Sequence, residues 1–398
     1  MIPRLGLGGQ GNRAHDLRLQ AHLAKNLFQF GHIHLQRPGH GFHEGAVLGP
    51  GGEQRPRIRF LPRQARRACG RTEPFLDRHG LYVFTINGFP YGSFHAQRVK
   101  EEVYAPDWST PERLAYTNGL AELLARLVPD DVGGTISTVP GTFGAWAEGR
   151  VEQITENLVR HAAHLAGVRD RTGTTIAATL EPEPCCFLET IAETADYFET
   201  GLYGGKAVAL MAELRGLSRG EAADALRRHL GVCYDVCHAA VEFEDPRASI
   251  DLLRRKAIPI GKLQLSSALK IGRVSRASVE QIRPFDERVY LHQVVARNGA
   301  GLVRYLDLPE ALADIERTLG SEWRIHFHVP IFLGDLEHFT TTQDFLREIL
   351  ALHREQPISR HLEVETYTWE VLPVRYRGTP VSTAIARELN WVRQQLEE

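Results

Sequence analysis

From about residue 75 to the end, short runs of β-branched and aromatic residues alternate with longer amphipathic stretches, and this order holds for more than 300 residues. A strand that is always followed by a helix before the next strand pairs in parallel, because the chain must cross back over the sheet. The strands are expected at 81–87, closed by Gly88, at 133–139, stopping at Pro140-Gly141, and at 174–181. Further strands are expected at 232–238, 261–267, 323–330 and 361–369. Helices are expected from Glu112, just after Ser109-Thr110-Pro111, and over 149–168, 218–230, 309–319, 341–352 and 381–396. Pro111 stands where a first helical turn tolerates proline, and Ser218 with Glu221 has the spacing of a capping box.

These seven strands are mostly apolar, which suits a parallel sheet covered on both faces. The length of the alternation favours a (β/α)₈ barrel over an open doubly wound sheet. No G-x-G-x-x-G follows the first strand, so the dinucleotide fold lacks its main sequence support. A closed barrel needs an eighth strand ahead of residue 81, and His32–Gln36 (HIHLQ) is the one modest candidate there.

The segment that must hold that strand reads differently from the rest. Residues 1–75 are dense in Gly, His, Pro and Arg and have no long apolar period beyond one helix-like stretch at 14–29. Two parts are therefore expected: an atypical, poorly ordered segment 1–75 and a barrel at 76–398. With 47 basic against 49 acidic residues and a formal charge of −2, the chain lacks the basic excess of a nucleic-acid binder. Five cysteines, two of them adjacent (Cys185 and Cys186), make poor material for a disulfide framework. No apolar stretch is long enough to span a bilayer and none precedes a cleavage site, so a cytoplasmic protein without a transmembrane segment is expected.

A barrel puts its chemistry at the C-terminal ends of its strands. Polar residues gather at those places here: Glu181 and Glu183, Asp235 and His238, Gln264 and Ser266, His326 and His328, Glu363 and Glu365. His326 and His328 are two apart and share a face of a strand, as do Glu363 and Glu365. Carboxylates inside a barrel need a cation or hydrogen bonds, since bare burial is too costly. A divalent ion would relieve the repulsion among several of them, and the mixed oxygen and nitrogen set suits Mn²⁺, Zn²⁺, Fe²⁺ or Mg²⁺. Each residue also has a plainer reading, as a helix-start carboxylate, a buried ion pair or a core histidine bonded to a backbone carbonyl. The cysteines beside Glu181 and Asp235 read as small core residues.

Seven segments in order, LYVFTINGFPYGSFHAQRVKEEVYAPDW, ISTVPGTF, LEPEP, CYDVCHAAVEFE, KLQLSSAL, HFHVPIF and HLEVETYTWEVLP, resemble the EboE family of metabolite traffic proteins. That family belongs to the xylose-isomerase-like superfamily of sugar phosphate isomerase and epimerase TIM barrels, and the resemblance covers about 75–398. It implies a divalent metal held at the ends of the fourth, fifth, sixth and eighth strands, at Glu181, Asp235, Gln264 and Glu365. The sixth-strand position is usually histidine, so Gln264 departs from the pattern, and His328 or His326 could compensate. His238 matches a position that contacts metal or substrate. The first-strand motif expected of the family is missing from 1–75, whose composition is that of a shifted reading frame in a GC-rich gene. A search of the alternative frames for the motif tests that hypothesis.

The expected reaction is isomerisation or epimerisation of a sugar, cyclitol or related small polyol, with Glu181, Glu365 and His238 as catalytic groups. Asn87, Tyr91, His95 and His326 are expected to bind substrate. The expected partner is a small-molecule metabolite, and the resemblance adds a membrane-bound partner from the same gene cluster. Two alternatives stand beside this: a non-catalytic binding protein supporting precursor transport, which Gln264 favours, and a metal-dependent hydrolase on the same barrel. Near-neutral charge and too few histidines argue against the hydrolase being an abasic-site nuclease.

Overall fold

The structure is a computed structural model describing residues 32–36, 78, 82–91, 100–129, 131–373 and 380–397. Apart from His32–Gln36, the atypical segment 1–75 lies outside the described residues, as does His95. Among the described residues thirteen strands are numbered in chain order. Six of them are parallel neighbours: β2 (Tyr82–Asn87), β3 (Gly134–Thr138), β4 (Ile176–Leu180), β5 (Leu230–Asp235), β6 (Ile260–Leu265) and β13 (Leu362–Val364). Helices cross between them, as the alternation requires. Thr110 caps the helix Pro111–Leu127 by accepting from Arg113 N. The helix Val151–Thr172 ends at Gly173, whose φ of +77° a side chain would strain. The Ser218–Glu221 capping box opens Arg219–His229 as its spacing predicts.

The parallel sheet curls, because residues on strands that are not neighbours meet on its inner face. Lys262 of β6 donates to Ser137 Oγ of β3 at 2.8 Å. Asn87 at the end of β2 donates to Glu365 just past β13 at 2.9 Å. His361 Nδ1 lies 2.7 Å from Thr135 Oγ1 of β3. The result is an α/β fold with a curled parallel sheet and surrounding helices, in the manner of a (β/α)₈ barrel. At its base Lys262 forms an ion pair with Glu363, both fully buried.

Four expectations need correction. β1 (His32–Gln36) does form and pairs with β2, but antiparallel, so it is not a barrel strand of the expected direction. The strand placed at 232–238 stops at Asp235, whose side chain accepts from His238 N and caps a short helix, Val236–Val241. The strand placed at 361–369 is only Leu362–Val364, followed by a 3₁₀ turn at Tyr367–Glu370. The strand placed at 323–330 is β10 (Glu322–Ile325), and it belongs to another sheet.

That second sheet is six-stranded, antiparallel and built from the stretch between β6 and β13. Its order is β11 (Asp335–Leu336), β12 (Phe339–Thr341), β7 (Leu269–Ile271), β10, β8 (Val294–Asn298) and β9 (Gly301–Tyr305). It has its own apolar core, with Trp323, Phe285 and Phe327 fully buried. β13 pairs directly with β6 from Leu362 to Val364, which leaves no ladder between them for a seventh barrel strand at that level. Residues 326–329 instead enter above, tied by His326 N to Gln293 O (2.8 Å) and by Val329 N to Ser267 O (2.9 Å). Among the described residues, no helix is long and apolar enough to cross a membrane.

Candidate metal centre

The strand ends carry three carboxylates to one place. Glu181 follows β4, and its backbone N–H still reaches Thr138 O at 3.1 Å, so the ladder fixes where its side chain points. Glu365 follows β13 in the same way, with its N–H on Leu265 O at 3.2 Å. Asp235 is the last residue of β5. One carboxylate oxygen from each lies within 4.8 Å of the others. Glu181 Oε2 and Asp235 Oδ2 are buried with no hydrogen-bond partner. Loss of hydration, then the neighbouring carboxylates, pushes Glu181 and Glu365 well above the usual carboxylate range. Burial also works upward on Asp235, but His238, His328 and the hydrogen bond from Ser266 outweigh it and hold its pKa low. Buried like charges with unfilled oxygens are the arrangement a cation satisfies.

Beside them stand three histidines. His238 puts Nδ1 2.9 Å from Pro182 O, and His328 puts Nδ1 2.9 Å from the Glu365 backbone oxygen. His326 Nδ1 lies 2.7 Å from Gln293 Oε1. The Gln293 amide is oriented without ambiguity, since its Nε2 has three oxygen partners, Tyr104 Oη, Glu183 Oε1 and Pro184 O, at 3.1–3.2 Å. All three acceptors are carbonyl oxygens, so each Nδ1 carries the hydrogen and each Nε2 presents a lone pair. Burial, then the other histidines, drives His326 well below its ordinary pKa. Burial likewise lowers His328, to about 4. His326 and His328 are thereby kept as neutral imidazoles, the form that binds metal, and all three rings have the carbonyl contact that metal-binding histidines generally have.

Asp235, His238 and His328 also bring one ligand atom each within 4.8 Å of one another, as do Glu183, His238 and His326. These clusters are positioned to coordinate a divalent metal ion. Above them opens a cavity of about 560 Å³, including its mouth. Asn87, Phe89, Tyr104, Tyr290, Leu291 and Tyr367 form much of its wall.

Of the residues expected from sequence, Glu181, Asp235, Glu365, His238, His326 and His328 come together. Asn87 lines the cavity and holds Glu365. Gln264 is adjacent, but its Nε2 donates to Glu365 and its Oε1 faces the Cys233 thiol, so it holds a carboxylate rather than offering an oxygen to the centre. Tyr91 does not line the cavity, and its ring packs edge-on against Tyr116 at 5.0 Å. Glu183, Tyr104, Gln293 and Lys100 also reach this site, without a role expected for them from sequence. Lys100, with φ of +38°, lines the cavity and pairs with Asp307 at 2.6 Å. Glu183 had a signal, two residues from Glu181 on a common face. The other three lie in connecting segments, where spacing says nothing of position.

The fold and site together define a barrel-like α/β protein with a metal-competent centre at the ends of its parallel strands. No protein-family model matches the chain, and no curated protein does. Among solved structures it is similar to the IolI protein crystallised with a bound zinc atom, at 14% identity and a TM-score of 0.32 over 72% of this chain and 69% of that one. It is similar to the probable 3-DHS dehydratase AsbF of petrobactin synthesis from Bacillus anthracis, at 13% identity and a TM-score of 0.36 over 83% and 81%. A third is the 3-keto-D-glucoside 4-epimerase YcjR from E. coli in its apo form, at 17% identity and a TM-score of 0.30 over 64% and 85%.

Proposed function

We propose that this chain is a divalent-metal-dependent isomerase or epimerase of a sugar, cyclitol or related small polyol, of the EboE metabolite traffic type. The observation that carries the reading is the convergence of Glu181, Asp235 and Glu365, from three separate strands, at a cavity that Glu181 and Glu365 line. The orphaned oxygens of Glu181 and Asp235 fit a resident cation. An ion there supplies polarisation of a substrate carbonyl and a hold on adjacent hydroxyls.

The protein's own groups do the rest. Glu181 and Glu365 bracket the floor and are the groups to take a proton from one carbon and return it to its neighbour or to the opposite face. Asn87 and Gln264 each donate to Glu365 and fix its orientation. Tyr104, donating to Glu183 at 2.7 Å, keeps a further carboxylate aimed into the cavity. The aromatic wall shields the reacting carbon from water and offers flat faces to the C–H side of a sugar or cyclitol ring.

The test is deuterium exchange. Metal-loaded protein is incubated in D₂O with a panel of ketoses, aldoses and oxidised cyclitols, and label is sought by NMR at the carbon next to the carbonyl. Incorporation that falls by about 10²- to 10⁴-fold in E181Q or E365Q supports the reading. A protein that holds no metal and exchanges no label in any substrate overturns it. One observation favours a second reading, a non-catalytic binder of the same metabolites: the Gln264 amide occupies Glu365 in a hydrogen bond. Saturable polyol binding without exchange would select it.

A further inference from the structure

We infer that Glu183 selects the substrate, taking a hydroxyl of an uncharged polyol on Oε2, and that the added antiparallel sheet holds it in position through Gln293 and Arg304. The inference rests on the proposed function above and narrows its substrate class to polyols without a phosphate ester. Glu183 lies two residues past Glu181 and lines the same cavity, but it has partners of its own. Tyr104 Oη donates to Glu183 Oε1 at 2.7 Å, and Gln293 Nε2 donates to the same oxygen at 3.2 Å. Among the described residues no donor reaches Oε2, and unlike Glu181 Oε2 and Asp235 Oδ2 it is not enclosed by protein. The carboxylate therefore turns a free acceptor to whatever occupies the cavity.

The loop that carries Glu183 is shaped from the added sheet. Gln293, just ahead of β8, donates also to Pro184 O at 3.2 Å. Cys185 follows with φ of +66°, a left-handed backbone that a side chain disfavours, and its N–H donates to Glu189 Oε1 at 2.6 Å. Arg304 of β9 holds the other oxygen of Glu189, with Nε 3.3 Å from Oε2. The same guanidinium places Nε and Nη2 2.9 and 2.6 Å from Glu242 Oε2. Glu183 N donates back to Leu188 O at 3.1 Å and Cys186 N donates to Glu183 O at 3.2 Å, which closes the loop on the glutamate. The partners of Arg304, Glu189 and Glu242, stand outside the metal centre, so Arg304 acts on Glu183 through this loop.

The charge around the cavity sets the class. Glu181, Glu183 and Glu365 line it, and Asp235 stands beside them. Lys100 is the one lysine or arginine among the described lining residues, and Asp307 neutralises it at 2.6 Å. A resident divalent ion offsets two of those four carboxylate charges. A phosphate ester brings about two more negative charges into a cavity that still has a negative surplus. A hydroxyl brings instead a donor that Oε2 can take.

The experiment compares matched pairs. Full-length Zn²⁺-loaded protein is titrated calorimetrically with D-fructose and D-fructose 6-phosphate, and with myo-inositol and its 1-phosphate. The uncharged member is expected to bind at least about tenfold more tightly than its ester. In E183Q, Tyr104 and Gln293 keep the amide oxygen at the Oε1 position, so the amide nitrogen faces the cavity as a donor. That variant should bind the uncharged member about 10- to 100-fold more weakly, bind the ester better, and keep its zinc. R304M should narrow the same ratio by a smaller factor with zinc content unchanged, and R304K should recover part of it. Circular dichroism checks that the variants fold. Esters that bind as well as their parents, no binding in either pair, an unaltered ratio in E183Q, or loss of zinc from E183Q each overturn the inference. A wild-type ratio in R304M overturns the part given to the added sheet. Deuterium exchange that persists in the wild-type protein leaves the proposed function standing through any of these. A wild-type protein that holds no zinc and exchanges no label loses both.

Discussion

His238 and His326 face each other through Nε2 atoms 3.0 Å apart, and each ring commits its Nδ1 hydrogen to an oxygen that cannot give one back. One ring comes from the short helix after β5 and the other from the segment that follows β10. Their meeting brings the end of the parallel sheet against a segment that leaves the added antiparallel one.

Gln293 supports the centre at two places, accepting from His326 Nδ1 and donating to Glu183. Replacing it with Leu removes the acceptor for Nδ1 and frees the ring to turn. Metal affinity should fall about 10- to 100-fold, the usual cost of losing such a partner, while the purified protein stays folded. Competition with a chromophoric chelator reads the change, and an unaltered affinity would show that the ring is held by packing alone.

Metal should stabilise the fold, because an unfolded chain cannot bring residues 181, 235, 328 and 365 together. At a free ion concentration 100 times the dissociation constant the gain is about 2.7 kcal/mol. A thermal melt with and without Zn²⁺ measures it. E181Q/E365Q and H326Q should each show a smaller upward shift than the wild-type protein.

The Lys262–Glu363 pair at the base of the barrel is fully buried. Burial works against the lysine's charge, but Glu363 outweighs it and holds the pKa at about 12. K262M removes the cation from a buried carboxylate and should cost roughly 3–5 kcal/mol. K262M/E363M should recover most of that loss. Urea unfolding of the single and double variants checks both statements.

Glu388, on the helix Val381–Glu397, is fully buried, and burial pushes its pKa up to about 8 from 4.5. Between these values the unfolded chain has lost the proton and the folded one keeps it. Stability contributed by Glu388 is therefore present below pH 4.5 and is lost as pH rises towards 8, by at most about 1.4 kcal/mol per unit. E388Q lacks this proton and should gain on the wild-type protein across that range. Unfolding in urea at about pH 5.5 and about pH 8.5 tests the sign. Curves that stay parallel would place the ordinary carboxylate value at Glu388.

The three carboxylates were legible in sequence because a parallel strand ends where its polar residues begin, and each of Glu181, Asp235 and Glu365 marks such an end. Parity also held. Glu363 and Glu365 both turn inward, one to Lys262 and one to the centre. His238 was found for a partly wrong reason. It was placed on a strand, whereas Asp235 caps a helix and delivers His238 one turn later. The second sheet was not read at all, although Asn298-Gly299-Ala300-Gly301 between two apolar runs is a hairpin signal. Gln293 and Tyr104 left no trace because their positions follow from how connecting segments pack, which no local pattern encodes. For His326 and His328 the common face was right, but direct pairing of β13 with β6 moved them off any regular strand.

Glu388 accepts at one oxygen from Ile331 N (3.1 Å) and from Thr366 Oγ1 (2.7 Å), three residues past His328 and one past Glu365. One carboxylate on the helix Val381–Glu397 thus buttresses from behind both segments that deliver His328 and Glu365, so a change at Glu388 would be felt at two ligand positions at once.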